Sequence, residues 1–180
     1  MKLRNRDFIS AAFDLKRAYS NLQTTLSENP SFAPALKSYG TIRTLLGLVP
    51  AKQQWGLQIM GMEGDVDDGL RMLQHVAATD HRFKQEASIS LVLLTLYVSG
   101  NYDEALAKSE LVGLPYQGNL FSYYAAATVA LYAGKSTKTI QILSNQPTGK
   151  AYADFWVMEY LKGRAYLQQL DGQCVRHFTT

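Results

Sequence analysis

Residues Leu96 to Leu106 read Leu-Tyr-Val-Ser-Gly-Asn-Tyr-Asp-Glu-Ala-Leu, an apolar segment that stops at Gly100 and resumes at Tyr102. A glycine between two apolar-periodic segments is typical of a turn that joins two helices. The same pattern recurs around Gly134, 34 residues after Gly100. A turn that recurs at a fixed period predicts a series of stacked helical hairpins.

This period, together with small residues where paired helices meet, resembles the tetratricopeptide repeat. Ala105 occupies a small-residue position of the best repeat, and Gly64, Gly100 and Gly134 lie in successive turns. The resemblance implies an all-α, right-handed superhelix of about ten helices in antiparallel pairs. We expect residues 1–180 to form a single repeat domain.

Apolar residues at spacings of three and four extend the helical prediction over the whole chain. A further helix is predicted to start after Asp171, and the chain ends before this helix is complete. Cys174 and Phe178 occupy the positions where the repeat has a small and an aromatic residue. Because a repeat array needs covered ends, we expect this chain to be a segment of a longer protein. The complete helices are predicted over about residues 7–27, 34–47, 51–60, 66–78, 83–98, 102–112, 120–133, 136–144 and 152–169.

A more specific resemblance covers residues 39–73 and residues 171–178. Its most distinctive part is the block from Val49-Pro50 to Gly64-Asp65. This part of the chain is similar to the tetratricopeptide family that contains the inclusion body clearance proteins and their bacterial relatives. Membership of that family implies further helices before Met1 and after Thr180, and it implies no catalytic residue.

Composition limits the classes of function. The chain has 180 residues, of which 47% are apolar and 18% are charged, enough for a sizeable core. The net charge of +3 is small and the basic residues are scattered, which argues against nucleic-acid binding and a polybasic membrane surface. The charged start lacks the apolar segment of a signal peptide, and the run Ile89–Val98 is too short to span a bilayer. The compartment stays unknown.

Three short motifs imitate active or metal sites, and each fails on spacing or context. Gly134 to Thr137 ends like a phosphate-binding loop, but the first glycine is missing and a helix precedes it. Asp65 to Gly69 lacks the later glutamate of a calcium loop and is better explained as a helix cap. Cys174 and His177 are three residues apart without a second ligand pair. We therefore expect no catalytic residue, no metal and no cofactor.

Aromatic residues recur along the first helix of each predicted repeat, which lines the concave surface of stacked repeats. Tyrosine suits peptide contact because it combines a large apolar ring, a hydroxyl and few rotors. The alternative, that these rings fill space between repeats, stays open. The Lys/Asn/Arg set of chaperone-binding repeats is missing. The candidate binding residues are Tyr97, Phe121, Tyr124, Thr128, Tyr132, Tyr160 and Arg164.

These observations predict a non-catalytic interaction or assembly scaffold that binds a protein or peptide segment on the concave surface. A second hypothesis is a repeat domain of a larger envelope or cargo-handling protein that binds a small or lipid-like ligand. Self-association through the incomplete repeat ends is a further mode of assembly. The sequence does not identify the partner.

Overall fold

The computed structural model has α-helices as the regular secondary structure of the described residues, which confirms the all-α prediction. It describes the backbone of residues 6–79, 82–149, 152 and 154–178, and the side chains of residues 10–79, 82–149, 152 and 154–170. Over these ranges the helices are α1 (Arg6–Glu28), α2 (Ala33–Gly47), α3 (Ala51–Ile59), α4 (Val66–Ala78), α5 (Lys84–Ser99), α6 (Tyr102–Leu111), α7 (Leu120–Tyr132), α8 (Ser136–Ser144) and α9 (Val157–Phe178).

The chain packs as two compact units, Met1–Ala87 and Ser88–Thr180, and the boundary between them lies within α5. Each unit buries apolar side chains of its own. The superhelix and the single repeat array stay predictions.

The core of the first unit joins α1, α2 and the segment after α3. Tyr19, Tyr39, Leu46 and Met62 are buried in it. The Tyr39 hydroxyl donates to the Tyr19 hydroxyl at 3.1 Å, and the Tyr19 hydroxyl both donates to the carbonyl and accepts from the amide of Glu63, each at 3.2 Å. Burial, followed by the hydrogen bond to Tyr19, raises the pKa of Tyr39 to about 12. This chain of hydroxyls satisfies polar groups that would otherwise destabilise the core.

Helices α2 and α4 lie backbone to backbone, and glycines make this possible. A Cβ atom on Gly64 would lie 2.1 Å from the amide nitrogen of Gly47. The amide of Asp65 donates to the carbonyl of Arg43 at 3.0 Å across the same junction. Gly64 does not share the left-handed φ of Gly100, which is +60°. Gly64 is therefore needed for close contact, whereas the sequence predicted a turn residue equivalent to Gly100.

Helix α3 is the least buried element of the first unit. None of its residues is fully buried. Leu57 packs partly against the core, whereas Trp55 is 65% exposed and Ile59 is also exposed. The apolar residues that predicted this helix thus divide between the core and the surface.

Two apolar clusters that share α7 lie among the described residues of the second unit. Val92, Leu96, Ala105 and Val129 form the first cluster, from α5, α6 and α7. The second joins α7, α8 and α9 through Ala127, Leu131, Leu143, Met158, Leu161 and Ala165. Ala105 is completely buried in the first cluster, and its small-residue position within a repeat stays a prediction.

The turns of the second unit use the predicted glycines. Gly100 has φ +60° and Gly134 has φ +71°, both in the left-handed region that favours glycine. Nothing lies within 4 Å of a Cβ atom added at either position. These two glycines are therefore needed for backbone conformation alone.

The end of the chain differs from the prediction in two respects. Helix α9 begins at Val157, five residues later than the predicted start at Tyr152. It then continues through Asp171 and Gly172 to Phe178, so the predicted tenth helix is wrong over the described backbone. One glycine costs a helix only about 1 kcal/mol, which is not enough to end it. The side chains of Cys174 and His177 lie outside the described residues.

Candidate functional site

The predicted binding residues, apart from Thr128, come together on one surface of the second unit. On α7, residues three and four apart share a side of the helix, which aligns Phe121, Tyr124 and Tyr132. Tyr160 and Arg164 are one turn apart on α9, and Tyr97 comes from the last turn of α5. We call this set of side chains the tyrosine face: Tyr97, Phe121, Tyr124, Tyr132, Tyr160 and Arg164.

Three ring pairs hold residues of the tyrosine face in place. Phe121 and Tyr124 stack with centroids 5.5 Å apart at an angle of 19°. Tyr124 also meets Phe155 at 5.6 Å in a tilted pair, and Tyr132 meets Tyr102 at 5.6 Å in another. Such pairs contribute about 0.5–1.5 kcal/mol each beyond their buried area and restrict the rings to fixed positions.

Arg164 connects α7 with α9 across this surface. Its guanidinium carbon lies 5.7 Å from the centroid of Tyr132 and 5.9 Å from that of Tyr160, which are cation–π distances. Among the side chains that the structure describes, no carboxylate forms an ion pair with Arg164. Arg164 is exposed, so its charge faces solvent beside aromatic rings.

The hydroxyl of Tyr97 lies among those of the other tyrosines. Partial burial is the main cause that raises its pKa, followed by the neighbouring Tyr124 and Tyr132 and a hydrogen bond with Tyr124. The residue is nevertheless 63% exposed. The tyrosine face thus presents hydroxyls and apolar rings beside the guanidinium of Arg164.

Thr128 departs from the prediction because it lies beneath this surface. It is on α7, one turn from both Tyr124 and Tyr132, and is 2% exposed. Its Oγ1 atom has no hydrogen-bond partner among the described atoms. A helical threonine usually bonds the carbonyl four residues earlier, and this one does not. Thr128 therefore supplies an unsatisfied polar atom below the rings.

The rings divide between surface and packing roles. Tyr97, Phe121, Tyr132 and Tyr160 are exposed. Tyr124 is half-buried and packs against the cluster of α7, α8 and α9. Its ring therefore belongs to both the surface and the core.

Sequence reasoning missed three aromatic neighbours of this surface. Tyr102 contacts Tyr132, Phe155 contacts Tyr124, and Trp156 lies one helical turn before Tyr160 with 76% of its surface exposed. The spacing of four between Trp156 and Tyr160 was a usable signal. Tyr102 is in the second helix of its repeat, where the repeat register gives no reason to expect a surface role.

Two of the motifs that imitate active sites have structural roles. Ser136 donates to Oε1 of Gln168 at 2.7 Å, and Gln169 donates to Oγ1 of Thr137 at 3.1 Å, so the start of α8 is held by α9. The carboxylate of Asp65 accepts the amide of Asp68 at 2.8 Å and caps α4.

Within the described ranges, no group of three His, Cys, Asp or Glu residues could hold a metal ion. No described helix is long and apolar enough to cross a membrane. The chain matches no protein-family model, no curated protein and no solved structure.

Proposed function

We propose that this protein is a non-catalytic interaction scaffold that binds a segment of a partner protein on the tyrosine face. The observation that carries the proposal is the continuity of exposed aromatic side chains from α5, α7 and α9. Contiguous exposed apolar surface is unusual on a protein without a partner and marks interaction sites.

The physical character of these side chains supports peptide binding. Aromatic rings bury a large area on association, and their hydroxyls still find partners when they are desolvated. Because stacking with Phe121 and the contacts of Arg164 restrict the rings beforehand, little side-chain entropy is lost on binding. A surface extending over several helices also suits an elongated partner segment.

A tetratricopeptide-like repeat, related to the inclusion body clearance family, is part of this proposal. Its support is the spacing of 34 residues between Gly100 and Gly134, both with left-handed φ. The buried Ala105 after the first of these turns adds to it. Repeats of that kind act by binding other proteins, which agrees with the proposed role of the tyrosine face.

The test is a binding measurement with the two most exposed tyrosines replaced. A partner is captured from a lysate of the source organism, purified, and titrated against the wild type and the Tyr97→Ala/Tyr160→Ala variant. We expect the double variant to bind more weakly by about 2–4 kcal/mol, the range for aromatic anchors. Tyr166→Ala is the matched control, because it removes an exposed tyrosine from α9 that is not part of the tyrosine face.

Two outcomes contradict the proposal. If the double variant binds the partner with the same affinity as the wild type, the tyrosine face is not the binding site. A double variant that loses its helical circular dichroism shows that these rings are core. The alternative ligand, small or lipid-like, is detected as bound mass in native mass spectrometry of the purified chain.

A further inference from the structure

We infer that the partner segment places a carboxylate side chain on Arg164, with apolar side chains on either side that pack on the neighbouring tyrosines. This inference rests on the proposed function and specifies the chemistry of the partner.

The first argument is the position of the guanidinium. Contacts with the rings of Tyr132 and Tyr160 hold it between α7 and α9. A guanidinium carries five N–H donors in a rigid plane, and a carboxylate is the acceptor that matches two of them at once. No described carboxylate forms an ion pair with Arg164, and its side chain is exposed.

The second argument is the contrast between Arg164 and two lysines of the second unit. Lys108 pairs with Glu104 on the same helix at 2.9 Å, and Lys138 pairs with Glu110. These lysines already have carboxylate partners within the second unit. Arg164 instead has rings, so binding an external carboxylate breaks no ion pair.

The third argument is charge complementarity across the surface. The six side chains of the tyrosine face include one cation, five aromatic rings and no carboxylate. Asp103 lines a shallow hollow together with Tyr102 and Tyr132, and among the described ion pairs it forms none with Arg164. A single positive charge surrounded by apolar rings matches a single carboxylate with apolar neighbours. A nucleic acid would require several cations along its backbone.

The test uses a random-peptide phage library selected on the full chain. We expect selected peptides to carry Asp or Glu beside aromatic or aliphatic residues. A synthetic peptide of the selected sequence is then compared with its amide version, Asp→Asn or Glu→Gln. On the wild type the amide version should bind about tenfold more weakly, since a charge-assisted pair is lost.

The double-mutant comparison assigns that loss to Arg164. On Arg164→Gln the two peptides should bind with equal affinity, because the partner of the carboxylate is absent. Lys162→Gln is the matched control: it removes the same charge from α9, two residues from Tyr160 and so on another side of the helix. It should retain the tenfold preference.

The outcomes separate this inference from the proposed function. In one outcome, the selected peptides bind the wild type, lose affinity for the Tyr97→Ala/Tyr160→Ala variant and yet carry no acidic residue. That result overturns the role of Arg164 and leaves the proposed function standing. A tenfold preference that survives in Arg164→Gln does the same. The inference and the proposed function are both overturned if no selected peptide loses affinity for the double variant. Binding of a single-stranded oligonucleotide instead of a peptide overturns both as well.

Discussion

Replacing Gly64 with alanine adds one methyl group at the point where the segment before α4 approaches the end of α2. The new Cβ atom would lie 2.1 Å from the nitrogen of Gly47 and 2.2 Å from the carbonyl carbon of Leu46. An ordinary contact begins at 3.4 Å, so the backbones must separate by about 1.3 Å. Overpacking of this kind costs about 2 kcal/mol. The separation also removes the 3.0 Å hydrogen bond from Asp65 to Arg43, which adds about 1 kcal/mol.

We therefore expect Gly64→Ala to lower the free energy of unfolding by about 3 kcal/mol. The assay is urea unfolding followed by far-ultraviolet circular dichroism. Gly56→Ala is the matched control, because Gly56 lies within α3 with nothing inside 4 Å of an added Cβ atom. That variant should gain about 0.5–1 kcal/mol from helix propensity. A Gly64→Ala free energy within about 0.5 kcal/mol of the wild type would refute the close-contact interpretation.

Three further predictions follow from conformation, an unsatisfied hydroxyl and a shifted pKa. Gly100→Val should lower the free energy of unfolding in urea by about 1–3 kcal/mol, because valine is strained at a φ of +60°. Gly100→Asn should lower it less, because asparagine tolerates that region, and equal losses for the two variants would indicate a steric clash instead. Thr128→Val should raise the free energy of unfolding by up to about 1 kcal/mol, since the Oγ1 atom has no described partner, and destabilisation would reveal a hidden hydrogen bond. The raised pKa of Tyr39 means that the folded state holds a proton that the unfolded state loses, so stability should fall between about pH 10 and pH 12. Tyr39→Phe should show a smaller fall, and an identical pH profile would contradict the assignment.

Local signals predicted the helices well wherever a turn or cap residue marks their ends. The spans Val66–Ala78 and Ser136–Ser144 agree with the structure residue for residue. The first follows the Asp65 cap, and the second follows the left-handed Gly134. In such places the boundary depends on adjacent residues, which are visible in the sequence.

The errors arose where tertiary contacts outweigh local pattern. Tyr152, Phe155 and Trp156 have helical spacing, yet α9 begins only at Val157. The ring of Phe155 packs on Tyr124, a contact from another helix that periodicity cannot reveal. The role of Gly64 was also invisible, because the backbone that it approaches is in α2.

For the candidate site, the sequence predicted the shared surface but not the depth of each residue. Spacing along α7 predicts that Tyr124, Thr128 and Tyr132 share one side of the helix. Thr128 lies between the two tyrosines and its short side chain is buried, whereas Tyr132 is the last residue of α7 and is exposed. The contacts of Arg164 depend on the distance between α7 and α9, which no local pattern contains.

The exposure of Trp55 and Trp156 determines how this protein can be followed spectroscopically. The chain contains two tryptophans, one in each compact unit, and both indoles already face solvent in the folded state. Their emission should therefore change little on unfolding, which makes intrinsic fluorescence a poor measure of stability. Trp156 is one turn from Tyr160, so a ligand seated there would shield its indole from water. In a Trp55→Phe background, the remaining emission becomes a label-free reporter of occupancy at the edge of the tyrosine face.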